Sequence, residues 1–170
     1  TIGILIALSL KKSIGMKERL VIQASLNQLT IGGMVKLIKF VLIFTFIVEG
    51  LGALLLTARW ESDFGLGKAM YYGLFHSISA FNNAGFDTFG PDSLIPYADN
   101  GWFNVITMAL IILGGLGFVV IHEVLFKHKW RKFSLHTKIV LVTTTVLLVI
   151  GTLLIKVTMG DKMTWLQSAF

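Results

Sequence analysis

Cysteine is missing from this 170-residue chain, proline occurs twice, and only 14% of the residues carry a charge. The first absence excludes a disulfide framework and any thiolate metal or redox site, and it says nothing of the compartment. The scarcity of charge excludes more. With 55% apolar residues and a mean hydropathy of +0.79, the chain has more apolar surface than a soluble domain of this size needs for its core, and its class is membrane protein. The formal net charge of +6 does not imply nucleic acid, because a basic face needs a soluble fold to carry it and most of these charges flank apolar runs. No cleavable signal peptide is visible.

The apolar residues gather into runs of roughly 17 to 25, long enough at about 1.5 Å per helical residue to cross a hydrocarbon core of about 30 Å. In lipid such a run must be helical or part of a closed barrel. A barrel strand would alternate apolar and polar residues, whereas Val41-Leu42-Ile43-Phe44-Thr45-Phe46-Ile47-Val48 and Leu110-Ile111-Ile112-Leu113 do not. The expected fold class is therefore an all-α membrane protein.

Along the chain, residues 1–10 read as the end of a transmembrane helix. Residues 11–36 read as a polar, helix-competent linker with breaks at Gly15 and Gly32-Gly33. A first full span follows over 37–57, with Trp60 beyond it as an interfacial anchor. Residues 67–83 mix aromatic and small residues with His76, too short and too polar to cross, and fit a re-entrant half-helix. Asn82-Asn83-Ala84-Gly85 closes it, and the outer loop 87–100, with Asp87, Pro91, Asp92, Pro96 and Asp99, has a composition that cannot sit in lipid. A second span covers 102–126, through Gly114-Gly115-Leu116-Gly117, with Asp99 or Asn100 as its N-cap. The basic loop 127–134 leads, after the cap candidate Ser134, to a span over 135–157 with Lys138 and Lys156 placed to snorkel. Residues 163–170 read as the start of another pore helix, and neither end reads as a natural terminus.

Of the 15 lysines and arginines, eleven (Lys11, Lys12, Lys17, Arg19, Lys36, Lys39, Lys127, Lys129, Arg131, Lys132 and Lys138) fall on one side of this arrangement. That side is expected to be the cytoplasm of a cell that carries the protein in its plasma membrane. The other side gathers Glu61, Asp63, Asp87, Asp92, Asp99 and Asp161, the acidic mouth a cation entrance would present.

The order span, re-entrant helix, loop, span is that of a potassium-channel-like repeat. A cation entering a dry bilayer must exchange its hydration shell for oxygens, and backbone carbonyls supply them without burial of full charges. The loop that carries them must be short and non-helical, and built from residues that tolerate unusual backbone angles, as Gly does freely and Asn at little cost. Asn82, Asn83, Ala84 and Gly85, the core of a filter at 82–86, have that composition. The preceding helix points its partially negative C-terminal end at the same place.

The segment Phe75-His76-Ser77-Ile78-Ser79-Ala80-Phe81-Asn82-Asn83-Ala84-Gly85-Phe86 resembles the second pore loop of the bacterial Ktr/Trk potassium uptake proteins. The flanking Lys17-Glu18-Arg19-Leu20, Leu26-Asn27-Gln28, Gly114-Gly115-Leu116-Gly117-Phe118 and Phe133-Ser134-Leu135-His136-Thr137-Lys138 agree. The likeness is to the Ktr-type membrane subunit more than to its Trk or plant HKT relatives. It implies four span–pore helix–span repeats around one pore, with one filter glycine per repeat. Gly85 would be the second, within a complete repeat two at 37–126. The resemblance also implies a homodimer resting on a cytosolic ring of nucleotide-binding regulatory subunits. It implies K+ as the transported ion, no cofactor, and a dependence on Na+ left open.

Other readings stand beside these. Gly85 could cap a short helix in a left-handed conformation. His76 could relay protons or bind an ion, or satisfy a buried hydrogen bond. Glu49 lies about 18 Å along its helix from Leu37, near mid-membrane, where an ionisable group either serves function or fixes a neighbouring helix. Gly114, Gly115 and Gly117 suit close helix approach or a gating hinge. His122 and His128 are six residues apart and so lie on different helix faces, which discards a shared metal. The competing functions are an intramembrane enzyme using His76 with Asp87 or Glu49, which lacks a nucleophile at recognisable spacing, and a non-conducting assembly subunit. The expectation is that the chain is not an enzyme.

Overall fold

The structure, a computed structural model, describes residues 31–159. The expected helix end at 1–10, most of the linker at 11–36 and the pore-helix start at 163–170 lie outside the described residues. Five α-helices follow one another: α1 (Ile31–Phe64), α2 (Leu66–Phe81), α3 (Gly101–Gly115), α4 (Phe118–Lys127) and α5 (Leu135–Met159). Single 3-10 turns interrupt the connections at Gly90–Asp92, Ile95–Tyr97 and Trp130–Lys132. No strand occurs among the described residues, and the all-α expectation is borne out. The packing described below lies within the unit that begins at Ile43.

Two helical stretches, the 29 residues Lys36–Phe64 of α1 and the 25 residues of α5, are long and apolar enough to cross a membrane. At 1.5 Å per residue they measure about 44 and about 38 Å, more than a hydrocarbon core of about 30 Å. Their large apolar side chains face outward, as with Phe46 at 75% exposed and Val157 at 80%. Water would penalise such surfaces, whereas lipid does not. α1 is longer than the expected 37–57 at both ends. It passes through Gly32-Gly33, where each glycine costs about 1 kcal/mol of helix propensity without breaking the helix, and it ends at Gly65, whose φ is +74°.

That extension changes the role of Trp60. Expected as an interfacial anchor, it is fully buried. Because α1 continues beyond residue 57, Trp60 stays in helical register with Ala53 and Leu56 and turns inward with them. It meets Tyr72, His76, Phe89, Tyr97 and Phe103 at ring separations of 5.1 to 6.4 Å. These contacts gather α1, α2, the outer loop and α3 around one indole.

The 16 residues of α2 extend about 24 Å, too short to cross alone. It meets α1 and α3 at points where side chains are missing. A Cβ on Gly73 would lie 2.7 Å from the carbonyl oxygen of Ala53, and one on Gly52 would lie 2.5 Å from Ser77 Oγ. At Gly114 the approach is closest, for a Cβ there would fall 1.7 Å from the carbonyl oxygen of Phe81.

The expected continuous helix over 102–126 is broken. α3 starts on the Asn100 cap, whose side chain accepts from the Phe103 N–H at 3.0 Å, and stops at Gly115. α4 restarts at Phe118 after a turn of 100°. The cause is Gly117, whose φ of +86° takes the backbone out of the helical region and cuts the hydrogen-bond ladder. Glu123 of α4 then accepts from Lys127 Nζ and from both the N–H and the hydroxyl of Ser134. Ser134 in turn caps α5 by accepting from the Thr137 N–H, so one carboxylate ties the basic loop to the start of α5.

Gly114→Ala should therefore cost about 1–3 kcal/mol, as overpacking of a tight contact does, because the obstacle is main chain and cannot rotate away. Gly50→Ala is the matched control, since a Cβ there meets nothing within 4 Å. Thermal unfolding of the detergent-solubilised whole protein should show a lower midpoint for the first variant and none for the second. Equal midpoints would mean that α2 and α3 are not in contact at this position.

Candidate functional site

α2 ends in a double hydrogen-bonded closure. The N–H of Asn83 donates to the carbonyl of Ala80 at 3.1 Å and that of Ala84 to the carbonyl of Ser79 at 2.9 Å. Asn83 stands at φ +52°, the left-handed position such a closure requires. Asn is among the few side-chain-bearing residues that accept it, because its short polar side chain bonds locally. The cap of α2 is thus Asn83, and Gly85, with φ +70°, lies two residues beyond it. A Cβ on Gly85 would meet nothing within 4 Å, so its backbone angle, not crowding, is what calls for glycine.

The loop's main-chain groups divide by kind. The N–H groups of Asn82, Asn83 and Ala84 all donate back into α2, and that of Phe86 donates to Ser79 Oγ at 2.9 Å. Among the described residues, none of the carbonyls of Asn82, Asn83, Ala84 or Gly85 accepts a hydrogen bond. All four residues are exposed. Four successive carbonyls are left open while the N–H groups of Asn82, Asn83, Ala84 and Phe86 are engaged, which suits a cation better than an anion. The partially negative C-terminus of α2 adds to the same preference.

Side chains fix this loop from three directions. From α1, Glu49 Oε1 accepts from Asn82 Nδ2 at 2.9 Å, while the Glu49 carbonyl accepts from Ser77 Oγ at 2.7 Å. The second amide hydrogen of Asn82 goes to the Ile78 carbonyl at 2.9 Å. Within α2, Ser79 Oγ donates to the Phe86 carbonyl at 2.7 Å. On the α3 side, Gly114 lies against the Phe81 carbonyl, a Cβ on Gly115 would lie at an ordinary 3.7 Å from Asn83 Nδ2, and Asn83 Nδ2 donates to the Ile111 carbonyl at 3.5 Å. Gly117 makes the bend.

His76 is buried and turned into the aromatic cluster, stacked on Phe89 at 5.0 Å. Its Nδ1 faces the Tyr72 carbonyl at 2.8 Å and must be the donor there, since a carbonyl only accepts. Among the described residues no hydrogen bond joins His76 to Asp87 or Glu49. Asp87 is engaged otherwise, accepting from Ser93 Oγ at 2.7 Å and from the Phe89 N–H at 3.0 Å. The Ser93 bond above all, with the Phe89 N–H behind it, holds the Asp87 carboxyl below its ordinary 3.8. Its folded-state value being depressed, this turn contributes throughout the neutral range and is lost only as pH falls through that lowered value. A cavity of about 260 Å³ between α2, the loop and α3 is lined by His76, Ser79, Asn83, Asp87 and Thr107.

The sequence singled out the loop and Glu49, and the structure brings Glu49 to Asn82. It brings Gly114 and Gly115 to the end of α2, and leaves His76 among aromatic rings, lining one cavity with Asp87 but joined to it by no hydrogen bond among the described residues. Ser79, Gly52 and Gly73 were not singled out. Nothing in the local pattern distinguishes Ser79 from the neighbouring Ser77, since both bonds it makes depend on where Phe86 returns.

Comparison with known proteins follows the same direction. The family described as TrkH, cation transport protein, matches residues 2–161. Potassium uptake protein B of the Ktr system of Bacillus subtilis (strain 168) is 42% identical over 147 residues, which make up 86% of this chain and 33% of that protein. The potassium/sodium uptake protein NtpJ of Enterococcus hirae is 36% identical over 160 residues, 94% of this chain and 35% of that protein. Potassium uptake protein D of the Bacillus subtilis Ktr system is 40% identical over 156 residues, 89% and 34% respectively. The chain spans about a third of the length of these curated relatives. The resemblance read from residues 75–86 and their flanks is borne out: the chain is a membrane protein of the TrkH cation transport protein family.

Proposed function

We propose that this chain forms part of the pore of a potassium uptake protein in the cell membrane, with the ion held by the backbone carbonyls of Asn82, Asn83, Ala84 and Gly85. The observation that carries the proposal is the division of the loop's main chain, with the N–H groups of Asn82, Asn83, Ala84 and Phe86 donating to α2 and the four carbonyls from Asn82 to Gly85 open. A dehydrated cation finds oxygens there and no full negative charge, so it can bind and still leave. The relatives named for potassium uptake, and NtpJ for potassium and sodium, support K+ as the cargo, with Na+ as its competitor or companion. An enzyme using His76 with Asp87 or Glu49 is disfavoured, because Asp87 is held by Ser93 and Glu49 by Asn82, and neither is hydrogen-bonded to His76. A non-conducting assembly subunit would have no use for a row of open carbonyls.

Gly85→Ser tests the site. A non-glycine residue in the left-handed region costs about 1–2 kcal/mol, and with no clash to resolve the loop should relax rather than the protein unfold. A difference of about 1.4 kcal/mol between potassium and sodium shifts their ratio about tenfold. Concentration-dependent potassium uptake, with and without sodium, in a strain lacking other uptake systems should show a loss of preference of that order at normal membrane expression. Wild-type affinity and preference in a normally expressed variant would remove Gly85, and with it this loop, from the ion site.

The unequal division of basic residues supports a topology in which 11–36 and 127–134 are cytoplasmic and 87–100 is outside. A single cysteine replacing Asp92 in an otherwise cysteine-free protein should react with an impermeant maleimide in intact cells. Reaction only after permeabilisation would invert the arrangement.

The family resemblance further supports a homodimer seated on a cytosolic nucleotide-binding ring, and the names of two relatives refer to a Ktr system. The exposed, basic turn at Lys129, Arg131 and Lys132 is the docking candidate on this chain. Reversing those three charges should weaken co-purification of the ring at unchanged membrane insertion. Undiminished co-purification would reduce the loop to a topology signal.

A further inference from the structure

We propose that Ser79 is a positioning residue for the ion site: its hydroxyl clasps both main-chain polar groups of Phe86, and this sets where the carbonyls on either side of Gly85 stand. The inference rests on the filter reading given above.

A hydroxyl inside a helix ordinarily bonds back to the carbonyl four residues earlier. Thr145, Thr152 and Thr158 of α5 do so, to Leu141, Leu148 and Leu154 at 2.8 to 2.9 Å. Ser79 does not. Its hydroxyl leaves its own helix, donates to the Phe86 carbonyl at 2.7 Å and accepts from the Phe86 N–H at 2.9 Å. Its main-chain carbonyl meanwhile accepts from the Ala84 N–H at 2.9 Å. One residue of α2 therefore holds the loop immediately before and immediately after Gly85. Gly85 itself, free of side-chain contacts and at φ +70°, is the only hinge left between the two fixed points.

Geometry limits which side chains can do this. The clasp needs one atom that donates and accepts at hydrogen-bond length, at a site only 7% exposed. Serine and threonine meet that condition and alanine does not. A cysteine thiol is a weak donor and a weak acceptor. With the clasp removed, Phe86 is free to shift along the pore direction and the Gly85 carbonyl turns with it. The number of oxygens reaching the ion then changes, and that number sets preference between potassium and sodium.

The test compares four variants of the whole protein in the uptake strain, each with a membrane-expression control and a thermal midpoint. Ser79→Ala should lower potassium-over-sodium preference by about tenfold and raise the KM for potassium, and Ser79→Thr should restore both. Ser79→Cys should fall between them. Thr57→Ala is the control for a merely structural effect, because Thr57 of α1 donates to the Ala69 carbonyl near the start of α2, far from the loop. It should lower the thermal midpoint and leave the preference unchanged. Unchanged preference in Ser79→Ala, or equal loss in Ser79→Ala and Thr57→Ala, overturns the proposal. If Ser79→Ala fails to insert, the threonine and cysteine variants decide, and indistinguishable preferences overturn it. A wild-type phenotype for Gly85→Ser would instead remove the filter reading, whereas an altered Gly85→Ser beside an unaltered Ser79→Ala removes only the role of Ser79.

Discussion

The way α2 ends governs the rest of the structure. A helix that stops inside a membrane leaves its last carbonyls without partners, and in hydrocarbon such groups are costly. Two solutions exist: bury them against donors or offer them to a cation. On the proposed reading this chain uses both, at different residues. The carbonyls of Ile78, Ser79 and Ala80 are taken by the amides that follow, through the turn at Asn83. Those of Asn82 to Gly85 accept no hydrogen bond among the described residues. Had Gly85 been the residue that turned the helix end, the loop would be two residues further on and Phe86 would not return to Ser79.

A half-helix can hold such an ending only if its neighbours come close enough to stiffen it. They do so where α2 or its partners carry glycine, at Gly52, Gly73 and Gly114. Without a hydrophobic drive between helices in lipid, contact at backbone distance is what remains to hold them together. The aromatic cluster around Trp60 closes the opposite end of α2, where Tyr72 and His76 meet Phe89 and Tyr97 of the outer loop. α2 is thus gripped by backbone near the Asn82–Gly85 loop and by rings before it, two kinds of contact that sequence composition reports very differently.

The difference explains what could be read in advance. The helical class and the family were legible because lipid imposes long apolar runs and because the residues around Asn82-Asn83-Ala84-Gly85 are unusual in composition. Ser134 and Asn100 were legible as caps, since both precede helical patterns as Ser and Asn do. Trp60 was misplaced because its role depends on where α1 stops, and helix ends are set by a single glycine angle at residue 65. The 100° break after Gly115 was hidden for a similar reason. Gly114, Gly115 and Gly117 look alike in sequence, yet one is a contact point, one faces an amide at ordinary distance, and one takes a positive φ. Ser79 was illegible in principle, because its partner is fixed only once the loop has folded.

The same separation of tasks bears on Glu49. A carboxylate coordinating the ion directly would bind it too firmly for conduction, which needs sites that can be left as easily as entered. Glu49 instead reaches Asn82 through the side-chain amide. That amide has both of its hydrogens directed at protein, to Glu49 Oε1 and to the Ile78 carbonyl. On the proposed reading its main-chain carbonyl remains available to the ion while the carboxylate stays one residue removed. The carboxylate oxygen thus orders the loop without occupying a coordination position. It also binds the first residue of the loop to α1. Displacement of α1 against α2 would therefore be felt at Asn82, the residue at which the open carbonyls begin.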